Sequence, residues 1–126
     1  MPFVRIDLRR GREAGFGARV GAVVYQTMRG AFGVPADDNF QVIAEHDAGG
    51  LVYDPSYLGI ARTDSVVFVQ ITMSQGRTVE AKKAFYRELC ERLHAELGLR
   101  REDLLVNLVE VVKENWSFGN GVASYA

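Results

Sequence analysis

Pro2 has the most distinctive chemical potential of any residue in this chain. With Met1 removed, the chain opens on a secondary amine locked into a ring. A free α-amino group titrates at roughly 7.7–8.0, close enough to neutrality for burial or a neighbouring cation to tune it. Such an amine would be a general base carried on the head of a strand. The other reading is a proline that merely starts a strand, a position that sheets tolerate. Arg12 and Arg77 come next. Each follows a glycine, directly after a strand pattern and at the start of a helix pattern. A cation there works against the helix dipole. Each is either a solvated arginine or a bidentate clamp for a carboxylate, to which guanidinium geometry is suited. Asp38, after Asp37, reads by itself as turn chemistry between helix and strand. Trp116 and Phe118 are either core or interface aromatics or the walls of an apolar pocket.

The elements that must position these residues are legible from periodicity. Phe3, Val4, Ile6 and Leu8, interleaved with Arg5 and Asp7, predict a first strand over residues 3–8. Residues 12–32 predict a helix, weakened early by Gly15, Gly17 and Gly21 and closed by Gly33 and Pro35. Residues 39–45 predict a second strand. Residues 46–64 carry turn signals and predict a long connector with a short strand near Leu51-Val52-Tyr53. Residues 65–73 form the most apolar run and predict a strand buried on both faces. Residues 77–97 predict a second helix, with Ala81, Phe85, Leu89, Leu93 and Leu97 in one stripe, closed by Gly98. Residues 104–111 predict the fourth strand.

These pieces repeat. A shift of 65 residues carries Phe3-Val4 onto Phe68-Val69, Gly11-Arg12 onto Gly76-Arg77, Gly33 onto Gly98, Asp38 onto Asp103 and Glu45 onto Glu110, without a gap. The chain therefore reads as one α/β (α+β) domain over residues 1–126, with β-α-β units at 2–45 and 67–110. Right-handed crossovers make each strand pair parallel. The two units then share a four-stranded mixed sheet with both helices on one face. Phe3, Val4, Val67 and Val69 cannot all face the helices, which predicts an exposed apolar sheet surface and an oligomer. Pro2 aligns with Val67, a mid-chain residue, so one reactive amine per chain is expected.

Composition narrows the function. The chain has 126 residues, a net charge of −1 and 48% hydrophobic content, which gives no electrostatic case for nucleic acid or an acidic membrane. The lone Cys90 forms no internal disulfide, which fits a reducing, cytoplasmic setting. His46, His94 and Cys90 show no metal-ligand spacing, so no metal or cofactor is implied.

Pro2 opening a strand, Gly11-Arg12 after it, the doubled unit with Gly76-Arg77, Gly33-Val34-Pro35-Ala36-Asp37-Asp38 and Trp116-Ser117-Phe118-Gly119 together resemble the tautomerase superfamily. The nearest resemblance is to its malonate semialdehyde decarboxylase-like branch. It implies removal of Met1, a catalytic Pro2 with Asp38 beside it, a pocket lined by Trp116 and Phe118, and a homotrimer. The characterised decarboxylases of that branch carry two arginines, one residue apart, after the third strand. Here that stretch reads Ser74-Gln75-Gly76-Arg77, leaving Arg77, with Arg12, to hold a carboxylate. The expected activity is keto–enol tautomerisation of a 2-oxo acid such as phenylpyruvate. The alternatives are decarboxylation or hydration of a 3-oxo acid, and a non-catalytic trimeric binding protein.

Overall fold

β1 (Phe3–Arg9) alternates as its residues demand. Val4, Ile6 and Leu8 are buried, while Phe3, Arg5 and Asp7 turn to the other face. In the computed structural model, which describes residues 2–126, this strand is followed by α1 (Phe16–Phe32), β2 (Gln41–His46), β3 (Val67–Ser74), α2 (Val79–Leu97) and β4 (Leu104–Val111). The sheet order is β2-β1-β3-β4. β1 and β2 are parallel, β3 and β4 are parallel, and β1 meets β3 antiparallel.

The repeat is kept to the residue. Val4 pairs with Gln41 and, 65 positions on, Val69 pairs with Val106. Gly33 and Gly98 both end their helices in the left-handed region, at φ 66° and 69°. The next residues, Val34 and Leu99, donate their N–H groups to the equivalent carbonyls of Met28 and Leu93. This is a helix-closing arrangement that satisfies terminal carbonyls. The core lies between sheet and helices. Val4, Ile6 and Leu8 with Val67, Val69, Ile71 and Met73 meet Val20, Val24 and Met28 of α1 and Phe85, Leu89 and Leu93 of α2.

Several expectations are corrected. α1 begins at Phe16, because Gly11 and Gly15 adopt φ of 111° and 81° and break the approach. Gly17 and Gly21 have a packing reason. A Cβ on Gly17 would lie 2.8 Å from Ile43, and one on Gly21 would strike the Gln41 side chain, so both let α1 press on β2. Gln41 fills the approach by donating to Gly21 O at 2.9 Å. Leu51-Val52-Tyr53 is not a strand; the connector instead holds short 3₁₀ turns at Ala48–Gly50 and Tyr57–Gly59. β3 is buried on one face only, with Gln70 exposed on the other. Val4, Val67 and Val69 all face the helices, leaving Phe3 on the open face. By strand alternation that face carries Phe3, Phe68 and Leu105 together with Arg5, Asp7, Gln70 and Asn107, so it is mixed rather than apolar. No described helix is long and apolar enough to cross a membrane.

Candidate active site

Pro2 is buried at the head of β1. The antiparallel register, with Phe3 opposite Thr72, runs the end of β3 past it, so Ser74 lies at this end of the sheet. The loop from α1 into β2 arrives here too. Gly33 turns it, the Tyr25 hydroxyl donates to the carbonyls of Pro35 and Ala36, and Asp38 N–H donates to Pro35 O at 3.2 Å. Val4 N–H donates to Phe40 O at 3.0 Å and fixes the loop to β1. Asp38 is held only 4% exposed. Burial pushes its carboxyl above the ordinary aspartate value. The positive amino terminus pulls it back down, and Asp37 pushes it up again.

The duplicated scaffold shows what this aspartate faces. Asp103, its counterpart, is 1% exposed and accepts from Thr63 N–H at 2.8 Å, Thr63 Oγ1 at 2.6 Å and Arg100 Nη1 at 3.3 Å. Thr63 belongs to the segment leading into β3. The segment leading into β1 is the amino terminus itself. One niche thus holds peptide and hydroxyl donors from the chain before β3, while the other lies beside the start of β1.

The C-terminal tail closes the site. Trp116 Nε1 donates to Ser74 Oγ at 3.1 Å. Trp116 stacks on Phe118 at 5.0 Å between ring centroids, and Phe118 meets Phe40 at 5.9 Å. Gly119-Asn120-Gly121, all at positive φ, reverse the chain. Ser124 then returns, its N–H donating to Trp116 O at 3.2 Å and its Oγ accepting from Phe118 N–H at 3.0 Å. This lays Tyr125 edge-on against Phe118 at 5.5 Å. Burial and the Asp38 carboxylate raise the Tyr125 phenol above its usual value, so it remains a donor.

Arg77 reaches this end. It donates to Ser74 O at 3.1 Å and Phe32 O at 3.4 Å, with its guanidinium 5.0 Å from the Phe32 ring centroid. Arg12 does not. It follows β1 at the far end of the strand, roughly 20 Å away at ~3.3 Å per residue. There it lies 3.9 Å from the Phe16 ring centroid. The structure therefore gathers Pro2, Asp38, Arg77, Trp116 and Phe118 and leaves Arg12 apart. It adds Phe40, Ser74 and Tyr125, which sequence reasoning missed. Only the glycine-rich turn after Phe118 hinted that the tail comes back. The gathered groups are an amine position, a carboxylate, a guanidinium and hydroxyls against an aromatic wall. Such a set can hold a small carboxylate and move a proton.

Comparison with known proteins bears on the family and the fold. A family model described as a tautomerase enzyme matches residues 38–119. The chain is 44% identical to the probable tautomerase YusQ of Bacillus subtilis (strain 168) over 123 residues, covering 98% of this chain and 97% of that one. It is 37% identical to the probable tautomerase YrdN of the same organism, covering 99% and 96%. A solved malonate semialdehyde decarboxylase superposes with a TM-score of 0.89 at 32% identity, covering 98% of this chain and 95% of that one. A fused 4-OT chain, solved as a symmetric trimer, shares the fold at a TM-score of 0.77 and 19% identity, covering 95% and 94%. The chain belongs to the tautomerase superfamily, in its malonate semialdehyde decarboxylase-like branch.

Proposed function

We propose that this protein is a cofactor-independent tautomerase whose general base and acid is the secondary amine of Pro2, freed by removal of Met1. The observation that carries the reading is the contrast between the two aspartates. Asp103 binds the chain before β3, whereas Asp38, its counterpart in the repeat, is buried in the loop that Phe40 O ties to Val4 N–H, two residues after Pro2. Burial favours the neutral amine, and Asp38 stabilises the ammonium once it forms. The neutral amine takes the enol hydroxyl proton of a 2-oxo acid such as phenylpyruvate. The carbonyl forms as the double-bond electrons move to the neighbouring carbon. The ammonium then protonates that carbon, restoring the base. Transfer of this kind contributes roughly 10²–10⁴-fold. Arg77 holds the substrate carboxylate with N–H groups not pledged to Ser74 and Phe32. Trp116, Phe118 and Phe40 take the apolar end.

A second reading is decarboxylation or hydration of a 3-oxo acid, favoured by the likeness to a malonate semialdehyde decarboxylase across nearly the whole chain. There a protonated Pro2 polarises the substrate carbonyl. We also propose a homotrimer. The open sheet face leaves Phe3 and Leu105 at 38% and 42% exposure, and the fused 4-OT protein of this fold assembles as a trimer.

The test compares processed protein with protein that keeps Met1, with processing verified by intact mass. Only the processed form should ketonise phenylpyruvate enol. Equal activity of the two forms would rule out amine chemistry. Faster turnover of malonate semialdehyde than of phenylpyruvate would select the second reading.

A further inference from the structure

The end of the sheet opposite Pro2 repeats the active-site plan with one part missing. In the 65-residue register Val67 stands for Pro2, Asp103 for Asp38, and Arg12 for Arg77. Leu51 and Tyr53 stand for Trp116 and Phe118. Val67 contributes a peptide nitrogen, so this end has no free amine. What remains is a cavity of about 140 Å³ lined by residues 8–12 and 64–66.

The charges in this cavity are unequally engaged. Arg9 pairs with Asp64 at 3.0 Å and donates twice to Leu51 O, at 3.0 and 3.2 Å. Asp64 also accepts from the Tyr53 hydroxyl at 2.6 Å, so that carboxylate is answered. Arg10 pairs with Asp47 at 2.8 Å. Arg12 has no ion-pair partner among the described residues. Among the described residues its one side-chain hydrogen bond is a long one, 3.4 Å to Ser65 Oγ, and its Nε is buried without a partner. Arg77 spends donors on two main-chain carbonyls, whereas Arg12 keeps its fork. The Phe16 ring supports one face of the guanidinium and leaves its edge for a planar acceptor. Gly11, at φ 111°, has open space where a side chain would stand.

We propose that this cavity is a second, non-catalytic binding site for a small oxyanion, a carboxylate or a phosphate group, held by Arg12 and Ser65. At about 30 Å³ per water the volume corresponds to roughly five waters, the size of a propionate or a phosphate. Arg12 supplies paired N–H donors to two oxygens, and the Ser65 hydroxyl donates to one of them. No bond is made or broken. The site is independent of the Pro2 chemistry, because it contains no amine and lies at the other end of β1.

The test titrates the full chain, ¹⁵N-labelled, with sodium propionate and separately with sodium phosphate, against sodium chloride at matched ionic strength. Saturable shifts of the Gly11, Arg12, Ser65 and Val66 amides are expected with at least one of the two anions. Saturation by propionate alone identifies a carboxylate site, and by phosphate alone a phosphate site. Arg12→Ala should weaken the midpoint at least tenfold. Arg12→Lys, which keeps the charge without the fork, should weaken it less. Ser65→Ala leaves the Phe16 stack intact and should weaken it about threefold, which covers the case of an unfolded Arg12→Ala. Shifts that grow linearly with both anions would overturn the proposal. So would a folded Arg12→Ala that binds like the wild type.

Discussion

Asp38→Asn and Asp103→Asn make the same chemical change at two equivalent places, and the structure requires opposite outcomes. Asp103 answers two donors of Thr63 and one of Arg100 with almost no solvent to replace it. Losing charge assistance there costs about 1.5–3 kcal/mol. At roughly 4 °C per kcal/mol for a domain of this size, the melting temperature should fall by about 6–12 °C. Asp38 is held above the ordinary aspartate value chiefly by burial. A group whose folded value is raised binds its proton more tightly when folded, so its contribution to stability is lost as pH rises out of the carboxylate range. Asp38→Asn removes that dependence. The variant should melt at or above the wild type at neutral pH, and the wild type should gain on it as pH falls toward about 4. Its turnover of phenylpyruvate enol should drop by about 10–100-fold, part of the range for general acid–base assistance. Thermal melts from acid to neutral pH and steady-state kinetics on both variants are the assays. A melting temperature lowered equally by the two changes would refute the division of labour. So would a fully active Asp38→Asn.

Three further outcomes are expected. Arg77→Ala should raise the KM for a carboxylate substrate by one to two orders of magnitude, the equivalent of losing about 1.5–3 kcal/mol, and Arg77→Lys should recover only part of it. Trp116→Phe keeps the stack on Phe118 but removes the donor to Ser74 Oγ, so KM should rise about two- to tenfold with little change in melting temperature. Gly98→Ala forces a side chain into φ 69° at the end of α2 and should cost about 1 kcal/mol, read by denaturant unfolding.

Much of this fold could be read from the chain because its signals are local and doubled. β4 lies at the boundaries its residue pattern predicts, and the helix-ending Gly33 and Gly98 mark both units. α1 starts at Phe16 and not at residue 12 because Gly15 and Gly17 carry turn and packing information that periodicity does not register. Leu51 and Tyr53 have strand composition but no strand partner among the described residues, so the short strand that the connector predicts does not form. At the site, Asp38 alone reads as turn chemistry; its burial beside the head of β1 depends on the fold and leaves no local signal. Tyr125 and Ser74 were invisible because they meet the site through a tail reversal and an antiparallel pairing. Neither leaves a direction in the sequence. Arg12 looked equivalent to Arg77, and it is, but the antiparallel dyad sends equivalent residues to opposite ends.

That dyad separates architecture from reactivity. Pro2 heads β1 beside the end of β3, and Tyr125 packs on Phe118 next to the Trp116 that donates to Ser74, so Pro2 and Tyr125 lie at one end of the sheet. A short linker can close them, and the ring so formed can be reopened ahead of β3. A circular permutant that starts at Val67→Pro would lose its amine beside Asp38 and gain one beside Asp103 and Arg12. On the proposed mechanism, the same sheet and the same helices would then react at the other pole. On that mechanism, which pole carries the amine is set by connectivity rather than by shape.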